Sequence, residues 1–435
     1  MLESTLLPGL DAAFREGTAA GEPGWFSRLR DEAWRLAAEL PPPQLERLHL
    51  NRLPLTSDIG PMPPGDGAAL PAAVADRWAA AGSRPGLLFH NGRLVDRRIP
   101  AALAGTGLVV EDIAEARSRR SDVLEALYRK RQRPADRYAA LHDALSRHGV
   151  FVSVPAGLEL DEPIEVIHWI DAPGAMFPDV LVRMEAGARA VMVESYESPR
   201  DLAGAVVAGA VDLVVEDGAR LDYGALEVLG DGVDCLLPRR GSVGRDARLH
   251  WVLGEVGARL LLGRVHTLLF GEGGESTTRA IFAGQGHEAL DLSITNEHVG
   301  AHTRSDMQTR GIMDGEAHCV YNGVTIIRRG SRGSFGWQKE GTLMLSPSAH
   351  IDAIPTLTIE EFDVLGAGHA ASAGQVNEEQ LYYLMSRGIP RATATRLIVE
   401  GFLAPIIDAI PIAGIAGRIQ AALLERGSGS WTHKP

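Results

Sequence analysis

Histidine and cysteine are the residue types in this sequence best suited to bind a metal or to supply a nucleophile and its base. The chain has 14 histidines but only two cysteines, Cys235 and Cys319, which lie far apart. Two cysteines alone cannot make a structural zinc site or hold a four-thiolate cluster within one chain. They also exclude a disulfide framework, so we expect a protein of the reducing cytoplasm.

One histidine pair has a spacing that could indicate a metal site. His298 and His302 are four residues apart, which on a helix would resemble a metal-binding face. The segment between them is not helical in pattern, and the HExxH motif is absent. We interpret both as surface or turn histidines, with a metal or an interface role as the less favoured alternatives.

The two cysteines show no sign of nucleophilic chemistry. Cys319 follows His318 on a predicted strand, where neighbouring residues face opposite sides, so His318 is badly placed to act as its base. No GxSxG elbow occurs either. We interpret Cys319 and Cys235 as buried structural cysteines and expect a chain that is not itself an enzyme.

A polar, glycine-rich segment lies where predicted strands give way to predicted helices. It contains Asp363, Gly366, Gly368 and His369, and its pattern predicts an elbow. Glycines allow unusual backbone angles or a close approach of another chain. The elbow is either a linker turn with a capping histidine or part of a site or an interface, since boundary loops often carry function.

Two classes of ligand are disfavoured by motif and by charge. The glycine-rich segments 271–278 and 366–374 match neither GK[ST] nor GxGxxG, so we expect no ATP hydrolysis by this chain. The net charge of −13, from 43 basic and 56 acidic residues, argues against nucleic acid. The apolar stretch 401–416 is interrupted by two prolines and an aspartate and is too short for a membrane helix.

The elements that must position these residues fall into three regions. We predict a helical N-terminal region at 1–148, a strand-rich core at 149–365 and a helical C-terminal region at 366–435. Alternation such as that of Leu290, Leu292 and Ile294 with polar residues is typical of half-buried strands, and no helices separate the strands. Turns of one style recur, as in segments 185–188 and 216–219. The core could be a sandwich or a barrel, but the turns favour a parallel β-helix.

The C-terminal helices are amphipathic. Asn377 and Gln380 fit a capping box, Gly388 fits a helix end, and Leu381 and Leu384 begin one apolar stripe. A second stripe includes Leu397, Ile398, Phe402 and Leu403. These helices either pack on the end of the strand domain or present a face to a partner.

Several spaced segments, in order, resemble the SufB/SufD family of iron–sulfur cluster assembly proteins. The similarity covers roughly residues 140 to 410, and the N-terminal segment 1–130 matches weakly. The matching segments are Pro355–Ile359, Asp363–Val364, Gly366–Ala370, Glu379–Gly388, Tyr321–Gly323, Thr303–Ser305, Gly149–Pro155 and Val215–Ala219.

The resemblance implies a right-handed parallel β-helix core flanked by helical regions. It implies a cytoplasmic complex with a SufB-like protein and a SufC-like ABC ATPase, whose ATP cycle drives rearrangement of the scaffold. His369 corresponds to the family histidine at the interface where the nascent cluster forms, and is therefore a candidate metal ligand. Candidates for binding SufC are Leu381, Tyr382, Leu384, Arg387 and Phe402.

The sequence departs from the family pattern at the point that matters for cluster chemistry. Gly366 and Ala367 stand where the family has a cysteine before the histidine, and Phe335 and Trp337 disturb its glutamine-rich strand. We therefore expect the thiol-poor half of a pair, with no stably bound cofactor and a transient iron–sulfur cluster only together with SufB. The alternatives are a β-helix carbohydrate-active enzyme or acyltransferase, and a structural solenoid that forms homodimers by edge pairing.

Overall fold

The computed structural model describes residue 10 and residues 22–45, 47–48, 59–67, 70–82, 84–412 and 414–427. This part of the chain is mainly β, as predicted. Its helices are α1 (Gly24–Glu39), α2 (Ala72–Ala80), α3 (Ile113–Arg119), α4 (Ser121–Tyr128), α5 (Arg137–Leu145), α6 (Glu378–Ser386), α7 (Arg391–Ile407) and α8 (Ile415–Gly427). Its strands are β1 (Gly86–His90), β2 (Arg93–Arg98), β3 (Val109–Asp112), β4 (Gly149–Val154), β5 (Ile164–Trp169), β6 (Gly174–Met176), β7 (Asp179–Met184), β8 (Arg189–Glu197), β9 (Ala203–Ala208), β10 (Ala210–Val215), β11 (Arg220–Leu229), β12 (Gly232–Val243), β13 (Arg248–Gly257), β14 (Leu260–Leu269), β15 (Glu275–Gly284), β16 (Ala289–His298), β17 (Arg304–Met313), β18 (His318–Ile327), β19 (Phe335–Met344), β20 (His350–Ile359) and β21 (Gly366–Gln375).

The strands build a two-sheet parallel β-solenoid, which confirms the predicted β-helix. One sheet has the order β2-β1-β5-β8-β11-β13-β15-β17-β19-β21, and the other runs β20-β18-β16-β14-β12-β10-β7-β4-β3, with β9 and β6 continuing from β12. From β10 onward the chain alternates between the sheets. Leu260 pairs with Ala289 and Ala289 with His318, so these two turns are equal in length, whereas the next turn, from His318 to its partner His350, is longer. Turns of unequal length explain why the sequence shows no fixed repeat.

The recurring turn predicted from the sequence is a glycine turn that stacks from one coil to the next. Gly187 and Gly218 have φ angles of 71° and 69°, in the left-handed region that favours glycine. The N–H of Gly187 donates to the carbonyl of Asp217 at 2.9 Å, which joins the two turns. The alanines that follow, Ala188 and Ala219, are buried as each new strand begins.

The sheet faces follow the alternation expected for half-buried strands. Leu290, Leu292 and Ile294 lie in the solenoid core, as predicted. The outer face of the second sheet is apolar too, and the N-terminal helices α1 and α5 cover it, with Ala33 and Leu141 in the same cluster as Leu260 and Leu262. Burial on both faces of a sheet is what makes long apolar strand runs stable in water.

The N-terminal region is not wholly helical, in contrast to the prediction. β1 pairs in parallel with β5 and β3 pairs antiparallel with β4, so both extend the sheets. Three short helices, α3, α4 and α5, lie between residues 113 and 145. β1 is a short run that is buried throughout, and such a run has no periodicity that separates strand from helix.

The C-terminal helices pack on the outer face of the ten-stranded sheet and not on the end of the strand domain. Val399, Leu403 and Ile419 lie in one apolar cluster with Val252 and Ile281. α7 continues through Pro405 to Ile407. Asn377 caps α6 as expected: its Oδ1 accepts hydrogen bonds from the backbone N–H groups of Glu379 and Gln380. This packing leaves the last turn of the solenoid without a helical cap.

The predicted elbow at 366–369 is a strand. Gly366–Gln375 forms β21, which pairs in register with β19 along its whole length. The region 366–435, predicted as helical, therefore begins with a strand, and its helices start at Glu378, directly after the predicted cap Asn377. The glycines make room for aromatic rings. A Cβ on Gly368 would lie 2.4 Å from the indole of Trp337, and one on Gly366 would lie 3.4 Å from the ring of Phe335.

A group of three charged side chains is buried inside the solenoid. Arg239 donates from Nη1 to Oε1 of Glu255 at 3.2 Å and from Nη2 to Oε1 of Glu227, and its side chain is 1% exposed. One cation therefore faces two carboxyl groups. Burial raises the pKa of Glu227 to about 7, although Arg239 opposes this, and the charge of Glu255 raises it further.

This raised pKa predicts a loss of stability as the pH rises. The folded chain holds a proton on Glu227 that the unfolded chain, with its pKa near 4.5, releases. Stability contributed by this proton is present below about pH 4.5 and is lost as the pH rises through 7. We expect Glu227→Gln, which keeps Arg239 paired with Glu255, to flatten this dependence. Denaturation midpoints of both chains at about pH 5 and pH 8 measure it; equal slopes would contradict the assignment.

Candidate functional site

The last turn of the solenoid is uncovered. β20 pairs with β18 and β21 with β19, and neither has a second partner among the described residues. Each therefore presents one edge of free backbone N–H and C=O groups. We name this surface the open end. Its side chains, which in earlier turns would point into the core, are exposed or half-buried: Ile351, Ala353, Pro355, Leu357 and Ile359 of β20, and Ala367, His369, Ala371 and Ala373 of β21.

His369 lies on the inner row of the open end. It is in register with Gln338 of β19. Gln338 faces the core, where its Nε2 donates to the carbonyl of Thr356 at 3.2 Å and its Oε1 accepts from Oγ1 of Thr325 at 3.4 Å. Residues in register on parallel strands share a face. His369 therefore points toward the solenoid axis and is exposed because no further turn covers it.

The loop between β20 and β21 presents apolar side chains beside the open end. Phe362 is 100% exposed and Leu365 is 65% exposed. The loop is held in place by Glu361, whose carboxylate accepts from the N–H groups of Gly330 and Phe362, both at 2.8 Å. The bond from the Gly330 backbone, followed by those from the loop, lowers the pKa of Glu361. A fixed apolar loop next to two strand edges is a surface suited to another protein.

His298, His302 and the two cysteines do not come together in one site. His298 is buried rather than at the surface, with Nδ1 and Nε2 each 2.8 Å from the hydroxyls of Thr303 and Ser305. Burial lowers its pKa to about 4, so the ring is neutral at pH 7. His302 lies in a turn with φ 59° and is exposed. Cys319 is buried inside the solenoid, as is the other thiol.

The residues predicted to bind an ATPase lie on and near α6, and they differ in their exposure to solvent. Tyr382 is 75% exposed and Arg387 is also exposed, whereas Leu384 is half-buried. Leu381 is buried, and Phe402 packs under the guanidinium of Arg310 at 4.7 Å. Exposed apolar side chains close by in sequence or on α7 are Tyr383, Met385 and Leu397. α6 and the start of α7 thus form a second apolar surface.

One constellation could not be recognised in the sequence. His318, His350 and Asp352 place their ligand atoms within 4.8 Å of one another. His318 and His350 belong to successive turns, and only the register of β18 and β20 brings them side by side. Within the described part of the chain, no other group of three potential metal ligands occurs, so His369 does not belong to such a group there.

The comparisons with known proteins agree with this architecture. Two parallel sheets with helical flanks and an uncovered last turn define a β-solenoid protein. Residues 168–402 match the SufBD core domain of the SUF system of iron–sulfur cluster assembly, and the chain belongs to the SufB/SufD family. It is 30% identical over 423 residues to the iron–sulfur cluster assembly protein SufD of Bacillus subtilis, covering 93% of this chain and 94% of that protein.

Other relatives carry the family name alone. A SufBD family protein of Mycobacterium tuberculosis is 29% identical over 67% of this chain and 74% of its own length. One of Staphylococcus aureus is 27% identical over 74% of this chain and 70% of its own length. The chain is thus SufD-like. Among the described residues, no helix combines the length and the apolar character needed to cross a membrane.

Proposed function

We propose that this chain is the SufD-type component of a cytoplasmic SufB–SufC–SufD scaffold, with no catalytic activity of its own. The open end carries the proposal, because two free strand edges and an uncovered apolar interior call for a partner of matching shape. A SufB-like chain of the same fold would present such an end, and pairing of the strands would continue both sheets across the interface. Cluster assembly would take place at that interface.

The proposed chemistry of the interface divides ligands between the two chains. His369 faces the junction, while Cys235 and Cys319 are fully buried and burial raises the pKa of both thiols well above its ordinary value. Thiol groups in that state do not act as ligands or nucleophiles. The thiolates of a nascent cluster would come from the SufB-like chain, with His369 as a nitrogen ligand. A cluster would therefore be held transiently and only in the complex.

The energy for rearrangement would come from a SufC-like ATPase docked on the C-terminal helices. Tyr382 lies on α6 and Arg387 directly follows its last residue, and both are exposed. Tyr382 provides an aromatic face, and Arg387 provides a positive charge. α7 and α8 anchor these residues to the ten-stranded sheet through Val399, Leu403 and Ile419. A motion imposed on α6 would thereby reach the solenoid.

Co-expression tests the assembly directly. We expect this chain to copurify with the SufB-like and SufC-like chains of the same organism as one complex in size-exclusion chromatography with light scattering. The chain expressed alone can pair its open end with a second copy. Addition of the SufB-like chain should dissociate such a homodimer, because both partners would compete for the same end. A stable monomer that binds neither the SufB-like nor the SufC-like chain would refute the proposal. Turnover of a polysaccharide or an acyl donor by that monomer would favour the enzyme alternative.

A substitution at His369 separates its chemistry from assembly. We expect His369→Ala to leave the ternary complex intact and to lower its rate of cluster formation tenfold or more, because one ligand is lost. Visible absorption during anaerobic reconstitution measures the rate, and labile sulfide analysis measures the yield. The matched control is Ala370→Ser, at the next position and on the opposite face of β21. Equal rates in both variants would exclude a ligand role for His369.

A further inference from the structure

A second histidine site lies on the outer face of the eleven-stranded sheet, away from the open-end interior. His350 and Asp352 are two positions apart on β20 and share a face of that strand. His318 lies beside His350 on β18. His369 faces the inside of the solenoid from the other sheet, so the two histidine sites are separate.

The three side chains converge on one point. Nε2 of His318 is 3.2 Å from Oδ2 of Asp352, and Nε2 of His350 is 3.6 Å from the same oxygen. The imidazole rings have centroids 4.7 Å apart and are inclined at 75°. Ligands at about 2.1 Å from a tetrahedral metal ion lie roughly 3.4 Å from one another, and the two nitrogen–oxygen distances lie on either side of that value.

The surroundings orient the carboxylate without filling the site. Nη1 of Arg47 donates to Oδ1 of Asp352 at 3.0 Å. That bond holds one carboxylate oxygen and leaves Oδ2 directed between the two imidazoles. Hydrogen bonds of this kind commonly fix the orientation of metal-binding carboxylates. The side chain of His350 is mostly exposed, so a metal ion has access from solvent and room for water ligands.

We propose that His318, His350 and Asp352 bind a divalent first-row transition-metal ion. Two imidazole nitrogens and one carboxylate oxygen suit Zn²⁺, Fe²⁺ or Co²⁺ and disfavour the oxygen-only ions Ca²⁺ and Mg²⁺. Three protein ligands leave at least one coordination position open, as in exchangeable and not in structural sites. The proposal stands independently of the assembly proposed above, because it concerns this chain alone.

Metal titration of the purified full-length chain tests the site. We expect Zn²⁺ to bind with one high-affinity equivalent in calorimetry, and Co²⁺ to give visible absorption bands of four- or five-coordinate ion. His350→Ala and Asp352→Asn should each weaken Zn²⁺ binding tenfold or more and abolish the Co²⁺ bands. Both substitutions are on a strand at the sheet edge, and thermal melts without metal will show that the variants fold.

His287→Ala is the matched control. This histidine is exposed and has one carboxylate partner, Glu316, at 3.4 Å, and among the described residues it belongs to no group of three potential metal ligands. It should leave the affinity and the absorption bands unchanged. Unchanged Zn²⁺ affinity in His350→Ala and Asp352→Asn, or selective loss in His287→Ala, would overturn the proposal. Binding of Mg²⁺ with equal affinity would overturn the assignment of the metal class.

Discussion

An Arg239→Met chain is expected to lose about 3–5 kcal/mol of unfolding free energy at neutral pH. The guanidinium is enclosed in the solenoid with the carboxyl groups of Glu227 and Glu255 as its partners. Removing the cation leaves at least one of these groups buried without a counter-ion. Desolvating an unpaired charge costs more than the methionine gains by packing. Urea denaturation followed by circular dichroism gives the free energy.

The adjacent residue provides the control for this prediction. Arg240 faces outward and binds Asp212 with Nε at 2.7 Å, but Asp212 also forms an ion pair with Arg131, whose Nε is 2.9 Å from Oδ2 of Asp212. Arg240→Met therefore leaves its carboxylate with another cation, and we expect a loss of about 1 kcal/mol or less. Equal losses of unfolding free energy in the two variants would contradict the prediction, because removal of the buried cation should cost more than removal of the surface cation. A soluble but molten Arg239→Met chain would support the prediction through its lost near-ultraviolet signal.

The core of the fold could be predicted because its signals are local. Strand alternation at Leu290 to Ile294 and the glycine turns at Gly187 and Gly218 each depend on a few neighbouring residues. Stacked turns of one style require parallel coils, so the solenoid followed from them. The capping of α6 by Asn377 is likewise a contact between neighbours in the sequence. Local rules therefore gave these element types correctly.

Errors arose where burial by distant residues decided the structure. Gly366 and Gly368 predict a turn when taken alone, but Phe335 and Trp337 on β19 occupy the space that larger residues would fill, and β21 forms. For the C-terminal helices, packing on the end of the strand domain is one of the two interpretations that the sequence allows. The helices lie on the sheet face because apolar residues from successive turns, such as Val252, form a continuous surface there. Single-strand patterns do not reveal such a surface.

The candidate sites divide in the same way. His369 could be identified from the resemblance of its segment to a family, but its direction toward the solenoid axis depends on the register with Gln338. His318 and Asp352 belong to different turns, and no sequence spacing links them. His350, two positions before Asp352, indicates a metal site only when the neighbouring parallel strand β18, which carries His318, is known. Sites built across the turns of a solenoid require the register first.

The open end leads to the second large effect, on partner binding. We expect Leu357→Asp to weaken binding of the SufB-like chain about a hundredfold or more. Leu357 belongs to the inner row of β20 and would be enclosed when a partner continues the sheets. An unpaired carboxylate buried at such an interface costs roughly 3 kcal/mol or more. Copurification and surface-based binding kinetics with the partner immobilised measure the loss.

The neighbouring residue tests whether the face of the strand matters. Thr358 is exposed on the opposite face of β20, so Thr358→Asp adds the same charge one position away without placing it inside the junction. We expect this variant to bind within a fewfold of the unmodified chain. Leu357 is half-buried in the free chain, where an aspartate stays in contact with water, so the melting temperature of Leu357→Asp should change little. If both variants bind the partner as the unmodified chain does, the SufB-like protein must dock elsewhere. If both lose binding equally, the partner covers the edge of β20 from outside and does not continue the solenoid.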